Sequence, residues 1–337
     1  MSHRGVELSI QDFPHIYPIQ EQLRFLLRYA ILAPSTRNTE PWRFTIEANQ
    51  VLLRADLARW QPVCDADRRE LYLSLGCALE NLLVAAEQVG LRYSVAYLPR
   101  QPDESVAAAV AFLPGGGRAA ERDVLRLETI AARRTVRGRY SDEPVGDDDR
   151  LGLQRCVSEH GVSLTLVEDP AIRRAVVQLS TTAHEISLAN PAFRRELAQW
   201  IGEGAFGTPW PLSQAGRLAV GQPTVARQLA RLDAIALESS PLLALISSAQ
   251  DDRVAQIKSG QVLERIWLTA TARGLGLQPV SASLELPVLR NELTRVTGAR
   301  LPWAQQLVRI GHPRHKSGHR TPRRTLDEVL DSPGAGP

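Results

Sequence analysis

The side chains with the most chemical potential are arginines set beside hydroxyls. Arg133, Arg134 and Thr135 end a run that reads as a helix over about 123–132, and Arg137 follows two residues later. Guanidiniums and a hydroxyl packed this closely can surround a phosphate dianion through bidentate, charge-assisted bonds. A second cluster, Arg320, Arg323 and Arg324 in HRTPRRTLDEVL, lies ahead of a short C-terminal helix. A third polar knot is the corner APSTRNTEPWRF, where an apolar helix-like run stops at Pro34 and a strand begins at Trp42. Pro34 turns the preceding residue out of the helical region, and Ser35, Thr36, Asn38 and Thr39 load the turn with hydrogen-bonding groups. His312, His315 and His319 have the spacing of a helical metal face, but Gly311, Pro313 and Gly318 argue against a helix and no acidic or Cys ligand is interleaved.

Other chemistries lack their motifs. There is no G-x-x-x-x-G-K-[ST], no strand-linked G-x-G-x-x-G and no G-x-S-x-G, so no P-loop, dinucleotide fingerprint or nucleophile elbow is expected. The net charge of +3 over 337 residues gives no global case for nucleic acid, and the basic tail RIGHPRHKSGHRTPRR holds no aromatic for base stacking. Three widely spaced cysteines (Cys64, Cys77, Cys156) without a C-x-x-C suggest reduced thiols and a cytoplasmic location. The N-terminus has no apolar signal core, and no apolar run approaches the roughly 18 residues that span a bilayer. With 44% hydrophobic and 23% charged residues, the composition is that of a globular protein.

The elements that must position these residues occur twice. SLGCALENLLVAAEQVGL (74–91) and SGQVLERIWLTATARGLGL (259–277) align at an offset of 184, which pairs Gly76 with Gly260, Glu80 with Glu264 and Gly90 with Gly274. Both have helical periodicity, are apolar around most of their circumference and end at a glycine, the pattern of buried central helices. Each is preceded by a strand-like run (VLLRADL; PLLALISS) and followed by another (RYSVAYLP; LQPVSASLE), and WRFTIEA has a counterpart in VSLTLVE. The expected organisation is two homologous lobes, residues 1–118 and 119–337, joined near LPGGGRAAERD. The second carries an insertion over about 169–240 that starts as a helix and continues as an irregular, Trp-, Gly- and Pro-punctuated segment, a candidate lid. Gly202, Gly204 and Gly207 are its hinge candidates, with Trp200 and Trp210 as apolar cover.

In this order the pieces resemble the flavin-dependent nitroreductases, and the two-lobed layout is similar to the Acg-type branch, from about residue 20 to 330. The resemblance implies an α+β nitroreductase-like fold in which the two lobes form an internal pseudo-dimer, a monomer with one FMN between them. It implies that Arg133 and Thr135, with Arg323 or Arg324, hold the FMN phosphate, that Arg134 belongs to the same cofactor site, and that Arg137 sits near the electron-rich edge of the ring. Pro34, Ser35, Thr36, Arg37 and Asn38 would line the ring, and Ser281 and Ala282 match the strand end that faces flavin N5. The implied activity passes a hydride from NAD(P)H to a small acceptor, nitroaromatic or quinone-like. Sequestration of FMN under the lid is the rival reading. The family's Gln before Pro-Trp is Glu40 here; if buried it needs a partner, for which Arg37 and Arg43 are the nearest candidates, and its charge near the ring would hinder reduction.

Overall fold

The computed structural model describes residues 9–113, 127–205, 210–220, 222–315 and 321–332. The expected lobe junction, Gly207 and the basic residues Lys316 and Arg320 lie outside them, as does His319. The first part of the chain runs α1 (Ile19–Ala30), β1 (Trp42–Glu47), β2 (Gln50–Ala55), α2 (Arg69–Gln88), β3 (Arg92–Tyr97) and β4 (Val106–Leu113). Then come α3 (Leu127–Ala132), α4 (Asp147–Gln154), β5 (Val162–Val167), α5 (Pro170–Ala189), α6 (Pro191–Gly202), α7 (Trp210–Val220) and α8 (Pro223–Glu238). The chain ends with β6 (Leu242–Ser248), α9 (Arg253–Ala272), β7 (Gly276–Val280), α10 (Pro287–Thr297), β8 (Trp303–Gly311), α11 (Leu326–Val329) and β9 (Leu330–Asp331).

The strands form two sheets, ordered β3-β4-β2-β1-β9 and β5-β6-β8-β7. Read from the opposite edge, the second repeats the order of the first: the strand after the central helix lies at one edge and the earliest strand lies toward the other. Among the described strands every pairing within the sheets is antiparallel except one. The short β9 joins β1 in parallel, Phe44 opposite Leu330 and Thr45 opposite Asp331, and so carries the C-terminal basic segment to the first sheet. Arg43 clamps this junction through its ion pair with Asp331.

Between the sheets α2 crosses α9, and here the shared residue pattern of the two helices has a physical reason. A Cβ built on Gly76 would lie 2.0 Å from the Ile257 carbonyl oxygen, and one on Gly260 would lie 2.0 Å from the Leu73 carbonyl oxygen. The two helices meet backbone to backbone, each glycine facing the other helix's carbonyl. Every residue of α2 from Arg69 to Ala86 is buried, in line with its all-round apolar pattern. Both helices end alike: Gly90 (φ 78°) and Gly274 (φ 73°) adopt the left-handed conformation. The next residue closes a Schellman bond, Leu91 N–H to Ala86 O at 3.0 Å and Leu275 N–H to Ala270 O at 2.8 Å.

The insertion departs from the expected irregular segment: α5 to α8 are helices. Its prolines start helices instead of breaking them. Pro170, Pro191 and Pro223 occupy the first helical turn, where the absent N–H costs nothing. Asp169 caps Ala171 and Ile172, and Asn190 caps Ala192. No helix among the described residues is long and apolar enough to cross a membrane.

Gly76→Ala should therefore force the α2–α9 crossing apart, costing about 1–3 kcal/mol or more, the range of core overpacking. Gly138→Ala, whose Cβ meets nothing within 4 Å, should stay within about 0.5 kcal/mol. Urea unfolding of the two variants checks the contrast; equal loss at both positions would show that the crossing is not tightly packed.

Candidate functional site

A cavity of about 1070 Å³ lies beside the helix crossing, toward the upper end of the volumes that ligand sites occupy. One wall comes from the 34–38 corner and α2, through Leu73, Ser74 and Cys77; the facing wall comes from residues 133–139 and α9, through Leu263 and Trp267. The end of β7 contributes Val280, Ser281 and Ala282. The inserted helices close another side with Leu188, Phe193, Leu197, Ile201, Leu212 and Leu237.

Of the residues singled out from sequence, Pro34, Ser35, Thr36, Arg37, Asn38, Arg133, Arg134, Thr135, Arg137, Ser281, Ala282 and Arg323 all line this cavity. Arg324 does not. Its guanidinium donates to Glu40 O (3.2 Å), Asp56 (3.1 Å) and Glu328 O (3.0 Å), which anchors the tail to the first sheet.

Arg133 and Arg323 converge from segments distant in sequence. Arg133 Nη2 donates to Leu32 O at 3.0 Å, and Arg323 Nη2 approaches the same oxygen at 3.5 Å. Arg133 also stacks on the Trp267 ring, 4.6 Å from its centroid, and its Nε lies 3.3 Å from buried Glu264. The buried Nε of Arg323 has no hydrogen-bond partner. Burial and the like charge of Arg133 pull the Arg323 guanidinium down to about 10, against the opposing pull of Glu40 and Glu264. Burial also lifts the Glu264 carboxyl to about 7 in spite of Arg133. Two like charges in one recess, each with a buried Nε that has no hydrogen-bond partner, make a receptor for an anion with several oxygens.

The 34–38 corner is held in a strained shape. Arg37 (φ 49°), Asn38 (φ 56°) and Glu40 (φ 50°) all have positive φ, which only Asn among them adopts readily. Hydrogen bonds fix it: the Glu40 N–H donates to Ser35 Oγ (2.9 Å), and Asn38 Nδ2 donates to Pro322 O and Glu40 Oε1, both at 3.1 Å. Asn38 Oδ1 in turn accepts from Arg323 at 2.5 Å, so the corner orients an arginine of the C-terminal tail.

Glu40 is buried, but neither expected arginine partners it. Arg37 pairs with Glu285 (3.0 Å) and Arg43 with Asp331. Glu40 instead accepts from Asn38 and from the Arg324 N–H (2.8 Å), with the charges of Arg323, Arg59 and Arg324 nearby. It does not line the cavity, whereas the sequence placed it beside the ring.

Three further residues had no motif to betray them. Arg309, buried in β8, donates to Ala236 O (2.9 Å), Gly138 O (2.8 Å) and Gln278 Oε1 (2.8 Å), tying α8, the 133–139 segment and β7 together. A lone arginine in the apolar run QLVRIG was the available signal. Glu70 and Glu285 also line the cavity, and nothing in their sequence context distinguishes them from surface carboxylates. Among the described residues no group of three His, Cys, Asp or Glu could hold a metal; His312 follows the end of β8, outside any helix.

A core of two crossed helices between sheets of matching strand order, with a cavity beside the crossing, defines a nitroreductase-like fold. The chain belongs to the Nitroreductase family: the family model matches residues 130–308, just over half of the chain. Along nearly its whole length it is similar to Rv3131 of Mycobacterium tuberculosis, provisionally named an NAD(P)H nitroreductase, with 29% identity over 94% of this chain and 93% of that one. It is similar to the equally named Acg of the same organism, with 27% identity over 91% and 95%. Among solved structures, a nitroreductase with bound FMN from Desulfitobacterium hafniense shows a distant likeness: TM-score 0.41, 14% identity, 60% of this chain and 95% of that one.

Glu40 provides a test of the corner. Burial, opposed by the surrounding arginines, raises its carboxyl above the usual range. A raised folded-state value means that its contribution to stability falls as pH rises above the unfolded value of about 4.3. Glu40→Gln should cost about 1 kcal/mol at pH 5, because one amide proton faces a donor, and the deficit should narrow by pH 8. Urea titrations at both pH values measure this; a deficit that widens with pH would mean that the charged form is the favoured one.

Proposed function

We propose that this protein is an FMN-binding oxidoreductase of the nitroreductase type, passing a hydride from NAD(P)H to a small nitroaromatic or quinone-like acceptor. The observation that carries the reading is the convergence of Arg133 and Arg323 on Leu32 O, with the Arg323 Nε unsatisfied. A phosphate dianion would supply the missing acceptor and neutralise the like charges. Arg133, Thr135 and Arg323 would hold that phosphate, with Arg134 at its margin. Arg137 would place positive charge by the ring, while Pro34, Ser35, Thr36, Arg37, Asn38, Ser281 and Ala282 would line its edges. Bound flavin supplies the hydride chemistry; the chain binds it, orients it and screens it from water.

The reading includes an internal pseudo-dimer of lobes 1–118 and 119–337, monomeric, with a single flavin. Glu80 and Glu264, equivalent in the duplicated helices, support this. Glu264 faces Arg133 at the cavity, whereas Glu80 is closed off by Arg265, which donates to it twice at 2.8 Å and to Glu159 at 2.9 Å. An internal ion-pair network stands where a second site would lie.

The rival reading, sequestration of FMN with little turnover, is favoured by how tightly the insertion is latched. Glu196 of α6 accepts the N–H groups of Val63 (3.1 Å) and Cys64 (2.9 Å), Arg59 stacks on Trp200, and Arg37 on Phe193. We favour a gated lid, since opening on the microsecond-to-millisecond scale permits ordinary turnover.

Purified protein should contain one FMN per chain and sediment as a monomer; two flavins per chain would overturn the single-site reading. Arg323→Ala or Arg133→Ala should weaken FMN binding by about 10- to 150-fold, for a charge-assisted bond of about 1.5–3 kcal/mol, and riboflavin binding far less. Equal losses for the two flavins would remove these arginines from the phosphate. Glu196→Ala should speed anaerobic reduction by NAD(P)H about tenfold, the effect of about 1.4 kcal/mol on lid opening. Stopped-flow absorbance decides this, and a rate as slow as the parent's would put the block elsewhere.

A further inference from the structure

Trp267 stands two helical turns beyond Gly260 on α9, with Glu264 between them, so all three lie on one side of the helix. The indole is 2% exposed and lines the cavity. Its ring face and its ring N–H are both used, and on consecutive residues. The Arg133 guanidinium lies over the face, its Cζ 4.6 Å from the centroid, and Nε1–H donates to Arg134 O at 3.2 Å. Further along, Val136 O accepts from Tyr140 Oη (3.1 Å) and Arg309 Nη2 (3.0 Å), and Gly138 O accepts from Arg309 Nη2 (2.8 Å). Every second carbonyl from 134 to 138 is thus held by a buried side chain, and Trp267 holds the first.

The orientation of Arg133 follows from three contacts. Nη2 donates to Leu32 O at 3.0 Å, Nε lies 3.3 Å from Glu264, and the guanidinium rests on Trp267. Nη1 makes no hydrogen bond among the described residues and is the nitrogen left for a ligand. The bond to Leu32 O alone would let the guanidinium swing about it, and Glu264 offers an ion contact without a hydrogen bond. The ring face limits that swing, and burial strengthens its attraction for the cation. The matching helix α2 provides the contrast. At the offset of 184 that pairs Gly76 with Gly260 and Glu80 with Glu264, Trp267 falls on Leu83. Leu83 packs in the core and does not line the cavity, and the glutamate of that helix is closed off by Arg265. Of the two matched positions, only the one beside Arg133 carries an aromatic face.

We propose that Trp267 sets the preference of this cavity for phosphorylated over unphosphorylated flavin, by holding the Arg133 guanidinium so that Nη1 meets the phosphate. This rests on the reading above in which Arg133 holds the FMN phosphate. Trp267 is a positioning residue and acts through Arg133. A guanidinium already oriented binds a phosphate without the cost of ordering a free arginine side chain. Riboflavin carries a hydroxyl in place of the phosphate and gains nothing from that orientation. Its affinity therefore reports how the indole packs the cavity, and the ratio of the two affinities reports how the indole orients Arg133.

Binding of FMN and of riboflavin to the full chain, followed by flavin fluorescence, tests this. Trp267→Leu, which installs the residue of the matching position in α2, should lower the FMN-to-riboflavin affinity ratio by about 5- to 30-fold, the scale of a desolvated cation–π contact. Trp267→Phe keeps a ring face and should lower the ratio by only about 2- to 5-fold. Beside Arg133→Ala, neither substitution should move the ratio further, because the two side chains act as one unit. Should the leucine variant not fold, the phenylalanine variant decides alone, with a ratio that falls in the parent and stays put beside Arg133→Ala. An unchanged ratio with both flavins weakened alike would show that the indole only packs the cavity, and the proposal falls. A phenylalanine as costly as the leucine, or a further fall beside Arg133→Ala, overturns it as well. If Arg133→Ala itself leaves the ratio unchanged, the phosphate reading fails and the role of Trp267 goes with it.

Discussion

The close approach of Gly76 and Gly260 sets the geometry on which everything else depends. Helices packed through ordinary side chains stay 8–10 Å apart. Here each glycine lets the other helix's carbonyl come to within 2.0 Å of where a Cβ would be. At that separation, residues a few positions from the crossing on each helix share one cavity: Leu73, Ser74 and Cys77 from α2, and Leu263 and Trp267 from α9. The same approach sets Cys77 Sγ 3.2 Å from Gly260 O, a contact between the reciprocal segments. The cavity is in this sense a consequence of backbone packing, and its chemistry is added by the loops that reach over it.

Symmetry in the crossing does not extend to those loops. Around Glu264 the chain leaves a recess reached by Arg133 and, through the Leu32 carbonyl, by Arg323. Around Glu80 it places Arg265 and Glu159. Burial raises both glutamates, but Glu80 has two charge-assisted bonds from Arg265 while Glu264 has an ion contact without a hydrogen bond. One side is internally satisfied and the other is not. Two helices of like sequence can thus share their fold-determining glycines and carboxylates while only one is met by donors left without a partner.

Much of this was legible in the sequence because the signals were periodic or local. The paired glycines, helix ends and flanking strands follow from apolar spacing and from turn residues with fixed backbone needs. The arginines at 133 and 323 and the corner at 34–38 were visible as clusters of hydrogen-bonding groups. What remained hidden depended on the third dimension. The insertion read as irregular because Pro170, Pro191 and Pro223 mark helix starts as readily as breaks. Arg324 resembled its neighbour Arg323 in sequence, and only the folded tail sets Arg323 on the cavity and Arg324 against Glu40 and Asp56. Glu40 was judged by the arginines closest in sequence, whereas its bonds come from Asn38 and from a backbone group 284 residues away.

The cavity gathers basic groups and carboxyls from separate segments. Arg133 and Arg323 meet on it, with Arg134 and Arg137 on the same segment as Arg133, and Glu70 and Glu285 line it, held by Arg69 and Arg37. Arg37 binds the two arrangements into one device. Its backbone sits in the strained corner that orients Arg323 through Asn38, its guanidinium holds Glu285, and its face lies on Phe193 of the inserted helices. The paired arginines, the carboxyl of Glu285 and the inserted helices are therefore linked through one residue.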